Sequence, residues 1–467
     1  MKKLIIIFSV FVLMWGGWFV SYPYFMRWLE GFSFFSTLPD FTSLHFQLPY
    51  DFFRYVGSFL LQFFAYPAAG AAIQALFPIL TALCIWVVIK RIFKDSDRLF
   101  WISFIIVPVV VNSQLDDLTL VKTIQILVLS AAVALVVFIV TSFKRPCVRL
   151  PDFLGKAWMS YVVPAVSICV ALVVLQTGPL STQHESIARL TYMGEHKDWD
   201  GILKSVSRQD ALSNEYKRKY VLLALSETGN LPDYAFRYGL KSSNDFLFHN
   251  PDGPLALKFN ILFYRALGLQ NAVVYYAYQQ SLQSLPGLSY DAMRTLADAY
   301  IELKDYRLAK KYMDILEHST CNDGWLEERR MKLYSIMETS PDYHMTGEKF
   351  VLEDFYRDMS ALVTRYPAER KYADYLLCGL LADKNGNMFL SVFDRVAGTH
   401  HDDTRTMPVL YQEAICLIGS YEPEVLAKYP VDERIMQRFK DFMGLLNNGK
   451  ASQAKRKYAD TYWAYVY

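Results

Sequence analysis

Several catalytic signatures are missing from this chain. It has no G-x-G-x-x-G or Walker phosphate loop, no G-x-S-x-G nucleophile elbow and no H-E-x-x-H pair. Those gaps remove the nucleotide-binding, serine-hydrolase and zinc-protease classes that announce themselves by motif. Cysteine is sparse: six residues, none in a C-x-x-C pair. Cys84 and Cys169 lie in apolar stretches and Cys147 beside a basic loop. Cys321, Cys378 and Cys416 are odd in number and lack disulfide spacing, so they read as small buried core residues. Runs of alternating β-branched residues are also absent, so no strand is needed anywhere. Charge of one sign is never concentrated. The longest basic cluster in the second part of the chain is Lys455-Arg456-Lys457, which a solvated helix face explains, and this excludes a nucleic-acid partner.

Apolar residue is what the chain has in quantity, 53% of 467 residues against 20% charged. The two kinds are segregated. Only 13 of the 48 Lys and Arg and 8 of the 46 Asp and Glu precede residue 177. A bilayer core of about 30 Å needs roughly 20 apolar residues of helix. Five stretches supply them: 4–20, 68–89, 99–115, 118–143 and 157–175. The third is the weakest, because its strong apolarity stops at Val111 and Asn112-Ser113-Gln114 fall near the far interface. The first lacks a small-x-small cleavage site and reads as an uncleaved anchor. Residues 52–66 are apolar, short and interrupted by Arg54 and Gln62. Their aromatics (Phe52, Phe53, Tyr55, Phe59, Phe63, Phe64, Tyr66) suit an interfacial helix.

Basic residues flank the cytoplasmic ends of membrane helices. Here they group as Lys2-Lys3, Lys90-Arg91-Lys94-Arg98 and Lys144-Arg145-Arg149-Lys156, all on one side if five helices span. The loops on the other side hold Glu30, Asp40, Asp51, Asp116 and Asp117. This pattern places residues 1–176 as a multi-pass inner-membrane module with the remainder periplasmic. The small residues Ala68-Ala69-Gly70-Ala71-Ala72 opening the second span read as a site of close helix packing.

Thr177-Gly178-Pro179 is a turn signal that opens the second part, 177–467. Its periodicity is helical and it repeats. In 290–321, Met293, Leu296, Ala297 and Tyr300 form one stripe, Lys304-Asp305 the turn, and Tyr306, Ala309, Met313 and Leu316 a second stripe. This pattern of large, small and aromatic positions resembles a tetratricopeptide repeat. Weaker copies turn at Lys197-Asp198-Trp199, Gly229-Asn230-Leu231, Leu269-Gln270-Asn271 and Gly386-Asn387-Met388. From Asp198 the turns advance by 32, 40 and 35 residues to Asp305. A degenerate copy is expected around Trp325 to Met359, and Thr461-Tyr462-Trp463-Ala464-Tyr465 reads as a closing cap. The fold class is therefore all-α: a polytopic transmembrane module followed by an α-solenoid. Solenoids bind peptides or proteins on extended surfaces. The expected contact region surrounds Tyr290, Tyr300 and Tyr306.

Candidate chemistry is thin. His400-His401-Asp402-Asp403 is the one His/Asp cluster, in a polar loop without metal-ligand spacing, and His400 and His401 are at most weak metal candidates. Asp51, Asp116 and Asp117 are the outward carboxylates of the membrane module. Their position resembles that of the loop carboxylates in glycosyltransferases acting on lipid-linked sugars, which implies a general base or cation-binding role. The plainer reading is that Asp116 or Asp117 caps a helix. Lys122, one turn inside the fourth span, is expected to snorkel outward or pair with a carboxylate. No cofactor is expected; the expected partners are membrane lipids and a protein or peptide on the repeats.

Three segments together, Gly57-Ser58-Phe59-Leu60-Leu61-Gln62-Phe63-Phe64-Ala65-Tyr66-Pro67, Leu225-Ser226-Glu227-Thr228-Gly229-Asn230-Leu231-Pro232 and Thr461-Tyr462-Trp463, resemble an uncharacterised family of bacterial inner-membrane proteins. The resemblance implies a polytopic N-terminal module joined to a tetratricopeptide-like half, and no known activity. The function expected is a membrane scaffold for envelope assembly or transport. The alternative is a transferase on a lipid-linked substrate.

Overall fold

The computed structural model describes the chain apart from residues 1, 45, 47, 49–50, 94–95, 144–155, 157, 179–180, 285–286, 320–321, 340–353 and 398–406. Among the described residues every element is a helix, α or 3-10. Five helical segments are long and apolar enough to cross a membrane: Lys3–Ser21, Pro67–Ile92, Asp97–Leu115, Val121–Phe143 and Met159–Thr177. At 1.5 Å per residue each reaches roughly 30 Å.

Two compact units divide the chain, and they do not follow a single cut at residue 177. The first comprises Met1–Arg189 and Ala277–Thr346, the second Leu190–Tyr276 and Gly347–Tyr467. Helices Tyr290–Glu302 and Tyr306–Glu317, the best repeat in the sequence, therefore belong to the same unit as the five apolar helices.

In the first unit the apolar helices run alternately up and down. At one end Lys3 pairs with Asp97 and its ammonium lies 4.4 Å from the Trp86 ring, while the Arg91 guanidinium sits 3.8 Å from the Phe138 ring. At the other end the Tyr22 hydroxyl donates to the Leu175 carbonyl, and Trp15 Nε1 donates to the Ala68 carbonyl at 2.9 Å. The core between them is Val10, Met14, Trp18, Phe104, Val107, Val110 and Ala171. Outward faces stay apolar: Leu129, Val133, Val136 and Val140 on the fourth helix, and Val162, Val166, Val170 and Val173 on the fifth, are exposed. Water disfavours that much contiguous apolar surface and lipid accepts it.

The third apolar segment starts as a 3-10 helix, Ser96–Ile106, and continues as an α-helix, Val107–Leu115, with Pro108 in its first turn. A 3-10 rise of about 2.0 Å per residue lengthens the segment, so residues 96–115 together cover roughly 35 Å. The Ser167 hydroxyl donates to the Phe104 carbonyl at 2.6 Å, and Gln114 Nε2 to the Gln74 carbonyl at 2.9 Å. These two bonds tie the segment to the fifth and second apolar helices, and they engage the Gln114 side-chain amide nitrogen inside the bundle. Gly70 lets helix Pro67–Ile92 approach closely, since a Cβ there would meet Met26 Sδ at 3.0 Å.

The hairpins share one turn. Lys197, Gly229, Gly268, Lys304, Lys384 and Gly449 all have positive φ, between 56° and 76°. The next residue's amide then bonds the carbonyl five positions back: Asp198 to Met193, Asn230 to Leu225, Leu269 to Tyr264, Asp305 to Tyr300, Asn385 to Leu380 and Lys450 to Leu445, at 2.8 to 3.0 Å. This is the Schellman closure of a helix C-terminus. Asp198, Asp305 and Asn385 then accept the amides of Gly201, Leu308 and Met388, starting the second helix. The turn expected at Gly386-Asn387-Met388 lies two residues earlier, because those residues already form the first turn of helix Gly386–Ala397. Around Trp325 to Met359 the structure has helices Asp323–Thr339 and Phe355–Arg365, with 340–353 outside the described residues. Of the cysteines, Cys378 and Cys416 are buried, and Cys147 and Cys321 lie outside the described residues.

Candidate functional site

Asp51, Asp116 and Asp117 sit in three different settings. Asp117 is buried and fully engaged. Its Oδ1 accepts from the Thr119 amide and hydroxyl at 3.2 and 3.0 Å, and its Oδ2 from the Thr123 amide at 3.0 Å. It therefore starts helix Val121–Phe143 as a capping group. Asp51 accepts from the Leu48 amide at 3.0 Å and lies 3.5 Å from Arg54 Nη1. Asp116 is exposed at the end of helix Val107–Leu115. Helix Asp51–Leu61 meets the 117–120 turn at Gly57, where a Cβ would lie 2.4 Å from the Thr119 carbonyl, and not at Asp51. Lys122 is exposed.

The three tyrosines have different roles. Tyr290 is 1% exposed: its hydroxyl donates to the Phe35 carbonyl at 2.9 Å and accepts from the Phe35 amide at 3.1 Å. It is a tie between the hairpin and the stretch after helix Pro23–Phe32, with no face left for a partner. Tyr306 is buried too, its hydroxyl without a hydrogen-bond partner among the described residues. Tyr300 keeps a partly exposed face, stacked on Tyr312 with ring centroids 5.8 Å apart, beside Tyr278. His400 and His401 lie outside the described residues, and no group of three or more metal-ligating side chains forms among the described ones.

A site the sequence did not indicate lies in the second unit. A cleft of about 910 Å³ is lined by Asn230, Asp233, Arg370, Val409, Gln412 and Asp432. Gln412 is its hub: Nε2 donates to the Met407 carbonyl at 2.7 Å and Oε1 accepts from the Asp432 amide at 2.8 Å. Asp233 accepts the Val409 amide at 3.3 Å. Arg370 Nε lies 3.5 Å from the Asp374 carboxylate, which also accepts from the Tyr411 hydroxyl at 2.7 Å. Burial pushes Asp374 up to about 6, against the opposing pull of Tyr411 and Arg370. Cys378, 3.9 Å from that hydroxyl, is fully buried and its thiol is pushed well up by burial. A thiol held protonated in an apolar site is a poor nucleophile. The cleft thus offers separated carboxylates, one guanidinium and amide groups, which suit recognition of polar chain better than bond-breaking chemistry.

The residues that line the cleft come from several hairpins, which is why spacing along the chain does not expose them. The one local signal is Arg370 and Asp374, four apart on a helix otherwise filled by Tyr375, Leu376, Leu377, Cys378, Leu380 and Leu381.

Among known proteins, the model of a family of unknown function (DUF6057) matches residues 1–177 and 127–467. No curated protein and no solved structure matches the chain. The chain belongs to that family, and the family carries no assigned activity.

Proposed function

We propose that this member of a family of unknown function is a multi-pass inner-membrane protein whose tetratricopeptide-like hairpins hold a protein or peptide partner in the periplasm. The observation that carries the docking reading is the cleft at Asp233, Arg370, Gln412 and Asp432, large enough for several residues of an extended peptide. Its polar lining suits a chain segment with its own amides and a basic side chain toward Asp233 and Asp432. Membrane anchoring draws support from the five apolar helices and their exposed apolar faces. The periplasmic assignment draws on the basic groups, since Lys3, Lys90 and Arg91 occupy one end of the bundle.

The test uses the full chain in cells. A photo-crosslinking residue at Val409, which is exposed in the cleft, should give an adduct of defined mass that Asp233→Lys with Asp432→Lys removes while membrane content is unchanged. Adducts indifferent to those substitutions would overturn the docking site. A C-terminal reporter that proved cytoplasmic would overturn the topology.

A further inference from the structure

Helix Tyr306–Glu317 exposes Arg307, Lys310 and Lys311, the two lysines three and four residues after the arginine. The cations of the following helix are neutralised: Arg329 by Asp298 at 2.8 Å, Arg330 by Glu317 at 2.9 Å and Lys332 by Glu302 at 2.6 Å. Arg307, Lys310 and Lys311 have no ion pair with a described residue. They border a recess of about 510 Å³ whose remaining walls are Leu38, Asp314, Ile315 and His318.

The recess is built by tertiary contact. The Thr37 amide donates to the His318 carbonyl at 3.0 Å, which fixes Leu38 beside the end of the helix. Leu38 leads directly into helix Pro39–Leu44, whose Phe41 packs on Tyr55, and Phe46 packs on Phe52 and Tyr55. Phe46, Leu48, Phe52, Phe59 and Tyr66 are exposed along this stretch. Aromatic rings in such a row suit the boundary between headgroups and acyl chains. Leu38 therefore links the basic recess to the segment that carries the candidate interfacial band.

We infer that Arg307, Lys310 and Lys311, with the apolar Leu38 and Ile315, form a headgroup site for an anionic phospholipid. The guanidinium and the two ammonium groups match a phosphodiester. Leu38 and Ile315 take the first carbons below it, and Asp314 accepts from a headgroup hydroxyl. Three cations against one carboxylate favour a lipid with net negative charge over a zwitterionic one. The inference rests on the membrane reading above, and it adds a lipid specificity that neither the spans nor the cleft require.

The test is native mass spectrometry of the full-length protein in mild detergent, titrated with dioctanoyl-phosphatidylglycerol or dioctanoyl-phosphatidylcholine. Wild type should retain the anionic lipid preferentially, and Arg307→Gln with Lys310→Gln and Lys311→Gln should weaken retention roughly tenfold or more. Lys310→Arg with Lys311→Arg should keep it. Equal retention of both lipids, or retention unchanged in the triple variant, overturns the site. Displacement of the lipid by millimolar inorganic phosphate alone would overturn the lipid as its source. Carbonate extraction reports separately on membrane anchoring, so loss of the site and loss of the membrane reading give different results.

Discussion

Arg294 holds Glu30 in a two-pronged ion pair, with Nη2 2.6 Å from Oε1 and Nη1 3.1 Å from Oε2. The carboxylate is buried on helix Pro23–Phe32, and Arg294 also reaches Asn322 Oδ1 through Nε at 2.9 Å. Close to it the Tyr290 amide donates to the Ser33 carbonyl at 2.9 Å, and Gly31 leaves room for Asp291, whose Cβ would be 3.3 Å from an added methyl. Residues more than 250 positions apart are thus joined into one unit by buried polar contacts.

Removing one partner of such a pair leaves an uncompensated buried charge. Arg294→Met is expected to destabilise the protein by about 3–5 kcal/mol. Thermal denaturation in detergent measures it, and limited proteolysis should show cleavage within 277–346 rising first. The double variant Glu30→Gln with Arg294→Met should recover part of the loss. A single variant with wild-type melting would remove the pair from the account of stability.

Gly57→Ala tests the contact between helix Asp51–Leu61 and the 117–120 turn. The added carbon would lie 2.4 Å from the Thr119 carbonyl oxygen, so backbone must move. A loss of about 1–3 kcal/mol is expected. Gly16→Ala meets nothing within 4 Å and serves as the control, with melting close to wild type.

Asp117→Ala should cost about 1 kcal/mol or more through loss of the cap on helix Val121–Phe143, while the exposed Asp116→Asn should be neutral in stability. The same variants bear on the transferase alternative. Loss of biological function in Asp116→Asn at unchanged protein level would favour it.

Stability is expected to fall as pH rises from 5 to 8. Glu185 accepts the amides of Tyr24 and Phe25 at 3.2 and 2.7 Å, and burial pushes it up to about 7 from an ordinary 4.5 despite Arg189 nearby. Because the folded value is the higher one, folding takes up a proton between the two. The stabilisation is complete below about 4.5 and is lost as pH passes through about 7. Glu413, which accepts the Tyr462 amide at 2.7 Å, and Asp358 are also pushed up to about 7 by burial. Melting temperatures across this range should therefore slope downward, and Glu185→Gln should flatten the slope by its share. An identical slope in that variant would remove Glu185 from the explanation.

Lys304 and Lys384 adopt φ of 59° and 57° in their hairpin turns, a region that costs a residue with a Cβ. Lys304→Gly is expected to be neutral or stabilising by up to about 1 kcal/mol. Lys304→Val should destabilise, since β-branching is least tolerated there. Chemical denaturation of the paired variants reads both.

The apolar helices were legible because a run of apolar residues long enough to cross a bilayer has few other uses. The repeat at 290–317 was legible because helical spacing puts Leu296, Ala297, Ala309 and Met313 on facing stripes, and all four are buried. The turn near Asn385 was read two residues late, since Gly386 looks like a helix stop and the left-handed position falls on Lys384. Tyr290 read as a contact residue for a partner, yet its hydroxyl is spent on Phe35. Nothing in the spacing around Tyr290 names Phe35 as its partner.

By itself the sequence determined the all-helical class, the count of apolar helices and four of the six hairpin turns, those at Lys197, Gly229, Gly268 and Lys304, because each follows from periodicity and local backbone preference within some 30 residues. Only the tertiary structure decided which unit the hairpin 290–317 joins, that Asp117 is a cap, and which residues meet in the cleft at Gln412. Those depend on contacts between residues far apart in the chain, such as Glu30 with Arg294 and Asp233 with Val409, and no local pattern encodes a distant partner.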